Sequence, residues 1–135
     1  MVEMELFKIK INEKSDIQTI VLKEKSGKRL FSIGVGIPEI NAIKLKAVGA
    51  IPPRPLTHDL LNNVIRQLNA RIEKIIIDKL ELNIFYAKII LQTGNNGIKK
   101  IDARPSDSIA LALRAKAPIF TAEEVLEAVA TTYSE

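Results

Sequence analysis

Cysteine is absent from the 135-residue chain. This absence excludes disulfide bonds and thiol chemistry, and it makes a cytoplasmic location the default expectation. No run of apolar residues approaches the roughly 20 that a membrane-spanning helix requires. The first residues alternate charged and apolar types where a secretory signal peptide would have an apolar block. We therefore expect a protein that is not exported by that route and has no membrane partner.

Aromatic residues are also scarce, at 4% of the chain. Proteins that bind single-stranded nucleic acid usually combine several exposed aromatic side chains with a basic groove. In this sequence, Phe31, Phe85 and Phe120 occupy positions typical of a core. Tyr86 shares a predicted strand face with Lys88 and is the one candidate for stacking on a base. The pattern therefore departs from that of an ordinary single-strand binder.

Glycine is too sparse for the common phosphate-binding loops. Gly34 and Gly36 precede a predicted helix, and the N–H groups at a helix start can attract an anion. However, the third glycine of a dinucleotide-binding loop and the Gly-Lys-Ser/Thr of a P-loop are both missing. Glu39, at the start of that helix, would repel a phosphate unless a metal ion lay between them. We interpret the two glycines as tight packing at a strand end.

Charge is unevenly distributed along the chain. There are 20 Lys and Arg against 16 Asp and Glu, a net charge of +4, yet residues 117–135 hold four of the acids and no Lys or Arg. The basic body suits a polyanionic partner such as nucleic acid. Because the lysines are scattered over predicted strands and helices, a solvated lysine surface is the commoner explanation. The high Ile, Lys and Glu content indicates a thermophilic source, which concerns stability and not function.

The sequence contains the pattern of one α+β domain spanning residues 1–135. Its apolar content of 47% is enough for a proper core. Residue periodicity predicts a mostly antiparallel sheet of about six strands with about four helices. The predicted strands cover residues 4–11, 17–24, 30–35, 71–82, 84–92 and 98–103, with a hairpin turn at 94–97 and an extended segment at 117–120. The first helix covers residues 38–49, and the others follow predicted N-cap residues Thr57, Ser106 and Thr121. The second helix carries one continuous apolar stripe, formed by Leu60, Leu61, Val64, Ile65 and Leu68.

The centre of the predicted fold is the stretch from Asp102 to Arg114. A strand ends there, Ser106 is a good N-cap, and Asp107 suits the positive end of the helix dipole. The helix that follows is apolar on almost every side until Arg114, so we expect it to pack on more than one side. Residues 54–61 repeat the order of Arg-Pro, hydroxyl, Asp and apolar helix. This repetition is the basis for a hypothesis of internal duplication.

Four segments together resemble the bifunctional nuclease family. They are residues 54–61 (Arg-Pro-Leu-Thr-His-Asp-Leu-Leu), the strand Phe85-Tyr86-Ala87, residues 102–112, and Ala117-Pro118-Ile119-Phe120. The resemblance extends over about residues 4–130. The family includes uncharacterised bacterial proteins and plant proteins described as acting on both DNA and RNA. The resemblance therefore implies a nuclease of low sequence specificity that hydrolyses phosphodiester bonds in DNA, RNA or both.

The candidate catalytic residues are His58, Asp59, Asp102 and Asp107. His58 is the only histidine, so any imidazole acid or base must be this residue. A Mg²⁺ ion held by one or two carboxylates could activate water and neutralise the scissile phosphate, and Asp102 and Asp107 are the candidate metal ligands. Each residue also has a structural explanation. His58 could pack or cap its helix, Asp59 and Asp107 suit helix first turns, and Asp102 could pair with an arginine.

The candidate substrate-binding residues are Arg54, Arg104, Thr57 and Ser106. Each arginine precedes a predicted helix start, where its guanidinium and the backbone N–H groups could grip one phosphate from two sides. Alternatively, each arginine forms a salt bridge with an aspartate of the other motif and locks the two helix starts together. Both interpretations require the two motifs to meet in space.

A second hypothesis assigns the chain to a different functional class. It is a non-catalytic oligomeric binding module in which the Arg-Pro and Asp clusters are structural latches and a pocket holds a small anion or nucleic acid. Under either hypothesis we expect a homo-oligomer, with a dimer favoured. A sheet in so short a chain leaves strand edges and apolar faces that a second copy can cover.

Overall fold

The chain builds two three-stranded antiparallel meanders, and each is followed by a helix. The computed structural model describes residues 1–95 and 97–134. The elements in chain order are β1 (Val2–Lys10), β2 (Ile17–Glu24), β3 (Arg29–Gly36), α1 (Ile37–Ala47), α2 (Thr57–Gln67), β4 (Ala70–Glu81), β5 (Ile84–Thr93), β6 (Ile98–Ala103), α3 (Pro105–Ala115), β7 (Ile119–Thr121), α4 (Glu123–Val129) and β8 (Thr131–Thr132). The predicted hairpin turn at 94–97 includes Asn96, which lies outside the described residues.

The described residues form one eight-stranded sheet in the order β6-β5-β4-β7-β1-β2-β3-β8, together with four helices. Every strand pair is antiparallel except β4 with β7. The predicted α+β fold with a mostly antiparallel sheet is therefore confirmed. The strand count is eight and not about six because β7 and β8 contain only three and two residues. Strands this short show no alternating pattern in a sequence.

Strand β7 joins the two meanders at the centre of the sheet. It pairs antiparallel with β1, where Met4 lies opposite Ile119, and parallel with β4, where Ile75 lies opposite the same residue. In this arrangement β1-β2-β3-α1 corresponds to β4-β5-β6-α3. The duplication hypothesis from sequence instead related the start of α2 to the start of α3, so the element order points to a different pair of related helices.

All four helices pack on the same face of the sheet, over a single apolar core. Alternate strand positions supply the sheet side of this core, including Ile75 and Ile77 of β4 and Ala87 and Ile89 of β5. The body of α3 is almost completely enclosed, as expected for a helix that packs on more than one side; it comprises Ile109, Ala110, Leu111 and Ala112. No helix within residues 1–95 and 97–134 is long and apolar enough to cross a membrane.

The opposite face of the sheet, called the open face below, is covered by no helix in the described part of the chain. It is formed by the remaining strand positions, among them Tyr86, Ile90 and Phe120, none of which belongs to the apolar core. Phe31 and Phe85 pack together on the core side with ring centroids 5.5 Å apart. Phe120 was expected there too, but both of its neighbours in β7 face the core, so its own side chain points to the open face.

Helix α2 turns most of its apolar stripe outward, and only Ile65 of the stripe packs against the core. Leu60 and Leu68 are 57% and 74% exposed, and Leu61 and Val64 are exposed as well. The buried residue of the helix is polar Asn62. Periodicity shows that a helix is amphipathic, but it does not show which partner covers the apolar side. The stripe is thus an exposed apolar surface on the described chain.

Two helices begin earlier than their predicted hydroxyl caps indicate, α3 by two residues and α2 by one. The N-cap of α3 is Arg104, and Pro105 is its first helical residue, a position that suits proline because its missing N–H needs no partner. Ser106 therefore lies inside the helix and is buried. In α2 the N-cap is Leu56, so Thr57 is the first helical residue.

The third predicted cap is also wrong. Thr121 belongs to β7 and is fully buried, and Ala122 is the N-cap of α4. The capping pattern had assigned Thr121 to the start of the helix, but this residue is the last one of β7.

Candidate functional site

The two Arg-Pro motifs meet at a cleft of about 960 Å³ between the starts of α1, α2 and α3 and the end of β6. Four ionisable side chains in contact with one another line this cleft: Glu39, His58, Arg104 and Asp107. Much of the remaining wall is apolar, contributed by residues such as Ala42, Leu45, Leu61, Ile89, Ile101 and Leu111. A small polar group of residues beside apolar walls is typical of ligand and catalytic sites.

The contact between His58 and Asp107 joins the two motifs directly. His58 is the second residue of α2, and its Nε2 lies 2.9 Å from Oδ1 of Asp107, the third residue of α3. The imidazole is only 13% exposed. Because an ionised carboxylate can only accept, Nε2 donates to Asp107, and the neutral ring then keeps its lone pair on Nδ1. Asp107 therefore fixes both the orientation and the tautomer of His58.

Arg104 extends this contact into a chain of four side chains. Its Nε donates to Oδ2 of Asp107 at 2.9 Å, and a terminal nitrogen lies 2.9 Å from Oε1 of Glu39. The Arg104 side chain is nevertheless 65% exposed, so its remaining N–H groups face solvent. We call Glu39, Arg104, Asp107 and His58 the corner cluster.

Both central members of the corner cluster are held in their charged forms. Burial opposes ionisation of Asp107, but hydrogen bonds from Arg104 and His58 outweigh it, so the pKa of this carboxyl lies below its ordinary value. The hydrogen bond and charge of Asp107, with a smaller contribution from Glu39, raise the pKa of the Arg104 guanidinium. With neutral His58 the cluster carries two negative charges and one positive charge.

Asp59 is not part of the corner cluster. Its Oδ1 accepts from Nε of Arg114 at 2.7 Å, and its Oδ2 accepts from the backbone N–H of Leu56 at 2.9 Å. The side chain of Arg114 is 4% exposed and also donates to the carbonyl oxygens of Ala110 and Ala42. Burial opposes ionisation of Asp59, but these hydrogen bonds lower its pKa. We call Asp59 and Arg114 the latch pair, because together they tie α1, α2 and α3.

Asp102 borders the cleft at the end of β6, but its side chain lies beside Lys88 of β5 on the open face. Its side chain is 78% exposed, and its Oδ1 lies 3.6 Å from Nζ of Lys88. The ion-pair partner considered in the sequence was an arginine, and in the structure it is a lysine on the neighbouring strand.

The residues present do not fit the magnesium site expected from sequence. Asp102 and Asp107 both border the cleft, but the carboxylate of Asp102 pairs with Lys88, and both oxygens of Asp107 already face the donors of His58 and Arg104. Among the residues that the structure describes, no group of three or more His, Asp or Glu side chains is arranged to hold a metal ion. We therefore assign no step of a mechanism to Mg²⁺.

Two of the four predicted substrate-binding residues line the cleft, and the other two do not. Arg104 and Thr57 line the cleft. Arg54 is exposed beside a neighbouring hollow of about 280 Å³ that also contains the latch pair. Ser106 is buried behind the helix start. The cleft therefore offers one arginine to a ligand, and not the two expected from sequence.

Glu39 is the member of the corner cluster that sequence reasoning did not assign to the site. Its Oε2 is buried without a hydrogen-bond partner within the described residues, and a methyl group on Gly36 would lie only 2.8 Å from that oxygen. A signal for its role was present: Glu39 and Asp107 are each the third residue of a helix with proline in its first turn. These are the two helices that correspond in the two halves of the fold.

Comparison with known proteins connects this site to a family. A family model described as the bifunctional nuclease domain matches residues 20–134, which include the whole corner cluster. Two uncharacterised proteins of Mycobacterium tuberculosis, from strains CDC 1551 and H37Rv, are each 37% identical to this chain over 126 residues. The aligned residues cover 93% of this chain and 74% of each relative.

Proposed function

Because this chain belongs to the bifunctional nuclease domain family, we propose that it hydrolyses phosphodiester bonds in DNA, RNA or both, with low sequence specificity. The observation that carries the proposal is the 2.9 Å contact between His58 Nε2 and Asp107 Oδ1 in the wall of an open cleft. A histidine oriented by a carboxylate is a recurrent arrangement for proton transfer. His58 is the acid–base residue, and Asp107 is the residue that positions it.

The charge of the corner cluster favours one of the two protonation roles. While His58 is neutral, the two negative charges of Glu39 and Asp107 exceed the one positive charge of Arg104. An anionic substrate would then meet a site of net negative charge. Protonation of His58 makes the cluster neutral, and its Nδ1–H becomes available to a substrate oxygen. We infer that His58 enters the reaction protonated. Water attacks the phosphorus and releases a proton to solvent, the bond from phosphorus to the leaving oxygen breaks, and that oxygen takes the proton of His58. The free N–H groups of Arg104 contact the phosphate.

Cleavage of labelled single-stranded RNA and DNA by highly purified protein tests this proposal. His58→Ala should lower the rate by about 10²- to 10⁴-fold, the usual range for loss of a general acid or base. The thermal midpoint of unfolding should stay close to that of the unmodified protein. Paired assays with Mg²⁺ and with EDTA measure whether the reaction depends on a divalent ion.

Asp102→Asn is the comparison variant, because Asp102 borders the cleft but pairs with Lys88 and not with the corner cluster. If Asp102→Asn abolished cleavage and His58→Ala did not, the corner cluster would not be the reacting centre. A metal site that includes Asp102 would then be the better hypothesis.

A second candidate function is a non-catalytic oligomeric binding module for a small anion or nucleic acid, and helix α2 supports the oligomeric part of this proposal. Its exposed Leu60, Val64 and Leu68 lie at i, i+4 and i+8, so the stripe is symmetric about Val64. A two-fold axis at Val64 would place Leu60 against Leu68 of a second copy, the self-complementary pattern of a symmetric dimer. We therefore propose a homodimer formed through α2, under either function.

The oligomeric state is tested by light scattering during size-exclusion chromatography. The unmodified chain should elute as a dimer and Val64→Lys as a monomer, with Arg66→Lys on the same helix as a control that retains the dimer. A monomeric unmodified chain would exclude this interface. A dimeric chain that lacks nuclease activity in every preparation would favour the binding module.

A further inference from the structure

The open face holds most of the few aromatic rings of this protein. The chain has four Phe and two Tyr and no Trp. Only Phe31 and Phe85 pack on the core side. Phe7, Tyr86 and Phe120 belong to the other face, and Tyr133 packs on Phe7 with ring centroids 5.0 Å apart. In a chain with so few aromatics, a core would be expected to take them first.

A lysine lies over each of three open-face rings. Lys74 Nζ is 5.6 Å from the centroid of Phe120, and Lys79 Nζ is 5.0 Å from that of Tyr86. Phe7 has Lys8 at 5.5 Å. All three rings are half-buried, so each keeps part of its surface open to solvent beside its lysine.

The lysines of this face also exceed its acids. Glu5 pairs with Lys23, Glu81 pairs with Lys79, and both Asp78 and Asp102 lie near Lys88. Glu3, which lies opposite Phe120 on β1, pairs with Lys25. In the part of the chain that the structure describes, no acidic side chain lies within salt-bridge distance of the remaining lysines of the face, Lys8, Lys10, Lys74 and Lys100.

Two of these lysines occupy one row across three strands. Lys74 on β4 and Lys100 on β6 lie on either side of Ile90 on β5. Strands are about 4.8 Å apart, so the two backbones are about 10 Å apart. Phe120 lies beside this row on β7, at the centre of the sheet.

We propose that the open face binds single-stranded nucleic acid. Bases stack on Phe120 and Tyr86, and phosphates contact Lys74, Lys100 and Lys8. A stacked base displaces the lysine over the ring, because stacking on an aromatic side chain is stronger than an exposed cation–π contact. The displaced ammonium group then reaches the adjacent phosphate. Single strands fit this surface because a duplex keeps its base faces stacked inside.

The inference rests on the proposed function in that it takes nucleic acid as the substrate. β6 connects the two regions, because Lys100 and Asp102 point to the open face and Arg104 follows immediately in the cleft. A strand held on the open face can therefore cross the sheet edge at β6 and place a phosphate beside the corner cluster.

Binding is measured separately from cleavage, by fluorescence anisotropy of labelled 12-nucleotide RNA and DNA single strands with protein that carries His58→Ala. In this background Tyr86→Leu and Phe120→Leu should each raise Kd about tenfold. Tyr86→Phe should restore binding, because it keeps the ring. The duplex of the same sequence should bind more weakly than the single strand.

The charge contribution is tested with a matched pair of double variants. Lys74→Gln/Lys100→Gln should make the slope of log K against log salt shallower by about 1.4, since each phosphate contact on a single strand contributes about 0.7. Lys14→Gln/Lys44→Gln removes the same charge from a loop and from α1, and should leave the slope unchanged. Circular dichroism and thermal unfolding verify that every variant is folded.

Equal binding by the open-face variants and the control would overturn the inference and leave the nuclease proposal intact. Equal binding of duplex and single strand, with no effect of Tyr86→Leu, would overturn it as well. Full cleavage by His58→Ala together with weak binding by the open-face variants would reject the catalytic assignment and support the binding surface.

Discussion

The two Arg-Pro motifs share a sequence pattern but build different local structures. Asp59 and Asp107 are each the third residue of a helix, and each pairs with an arginine. The partner of Asp59 is the buried Arg114, which also satisfies two backbone carbonyls. The partner of Asp107 is the exposed Arg104 at the cleft. The burial of the arginine therefore distinguishes a structural latch from a site that a ligand can reach.

Removal of each arginine should give the largest contrast between the two motifs. Arg114→Met leaves Asp59 without its charged partner and frees two buried carbonyls, and we expect a loss of about 3 kcal/mol in the free energy of unfolding. Arg104→Met removes an exposed pair and should cost less than about 1 kcal/mol. Urea denaturation of both variants measures the difference. Similar losses would show that the two motifs are equally structural.

Amide variants of the two aspartates should separate activity from stability. Asp107→Asn removes the charge that stabilises protonated His58, and we expect a fall of about 100-fold in the cleavage rate. Asp59→Asn should retain the cleavage rate of the folded fraction while it lowers the free energy of unfolding. Single-turnover assays at a temperature where both variants are folded provide the comparison. An equal fall in rate would place Asp59 in the reaction.

Most elements of the fold could be predicted from local sequence, whereas the partners in the site could not. Alternation and turn residues indicated the two meanders, and the apolar run from Ile109 to Ala112 indicated a buried helix. The pairing of Asp59 with Arg114 joins residues 55 positions apart. It depends on how α2 and α3 pack, which no local pattern records. Because proline suits the first helical position, α3 begins at Pro105, and Ser106 is a buried helical residue and not the predicted N-cap.

Acid should destabilise the protein through both aspartates. The pKa of each lies below its ordinary value near 3.8, so each contributes stability that is fully present above that value. This contribution is lost as the pH falls through the lower pKa of the folded state. The free energy of unfolding should therefore be steady near neutral pH and decline below about pH 4. Urea denaturation between pH 2 and 7 should show a smaller decline for Asp59→Asn and for Asp107→Asn than for the unmodified chain.

Glu39→Gln should have the smallest effect of these changes, and it should improve substrate binding where the other substitutions impair activity or stability. Glu39 holds Arg104 from the side opposite Asp107, but its negative charge opposes an anionic substrate. The amide keeps the shape and removes the charge, so we expect KM for a single strand to fall about two- to fivefold, as for one screened charge. A matched exposed change, Glu127→Gln on α4, should leave KM unchanged. A rise in KM with Glu39→Gln would show that positioning of Arg104 by the carboxylate outweighs its charge. Substrate binding at the corner cluster would then require both Glu39 and Asp107, whereas the latch pair relies on the single carboxylate of Asp59.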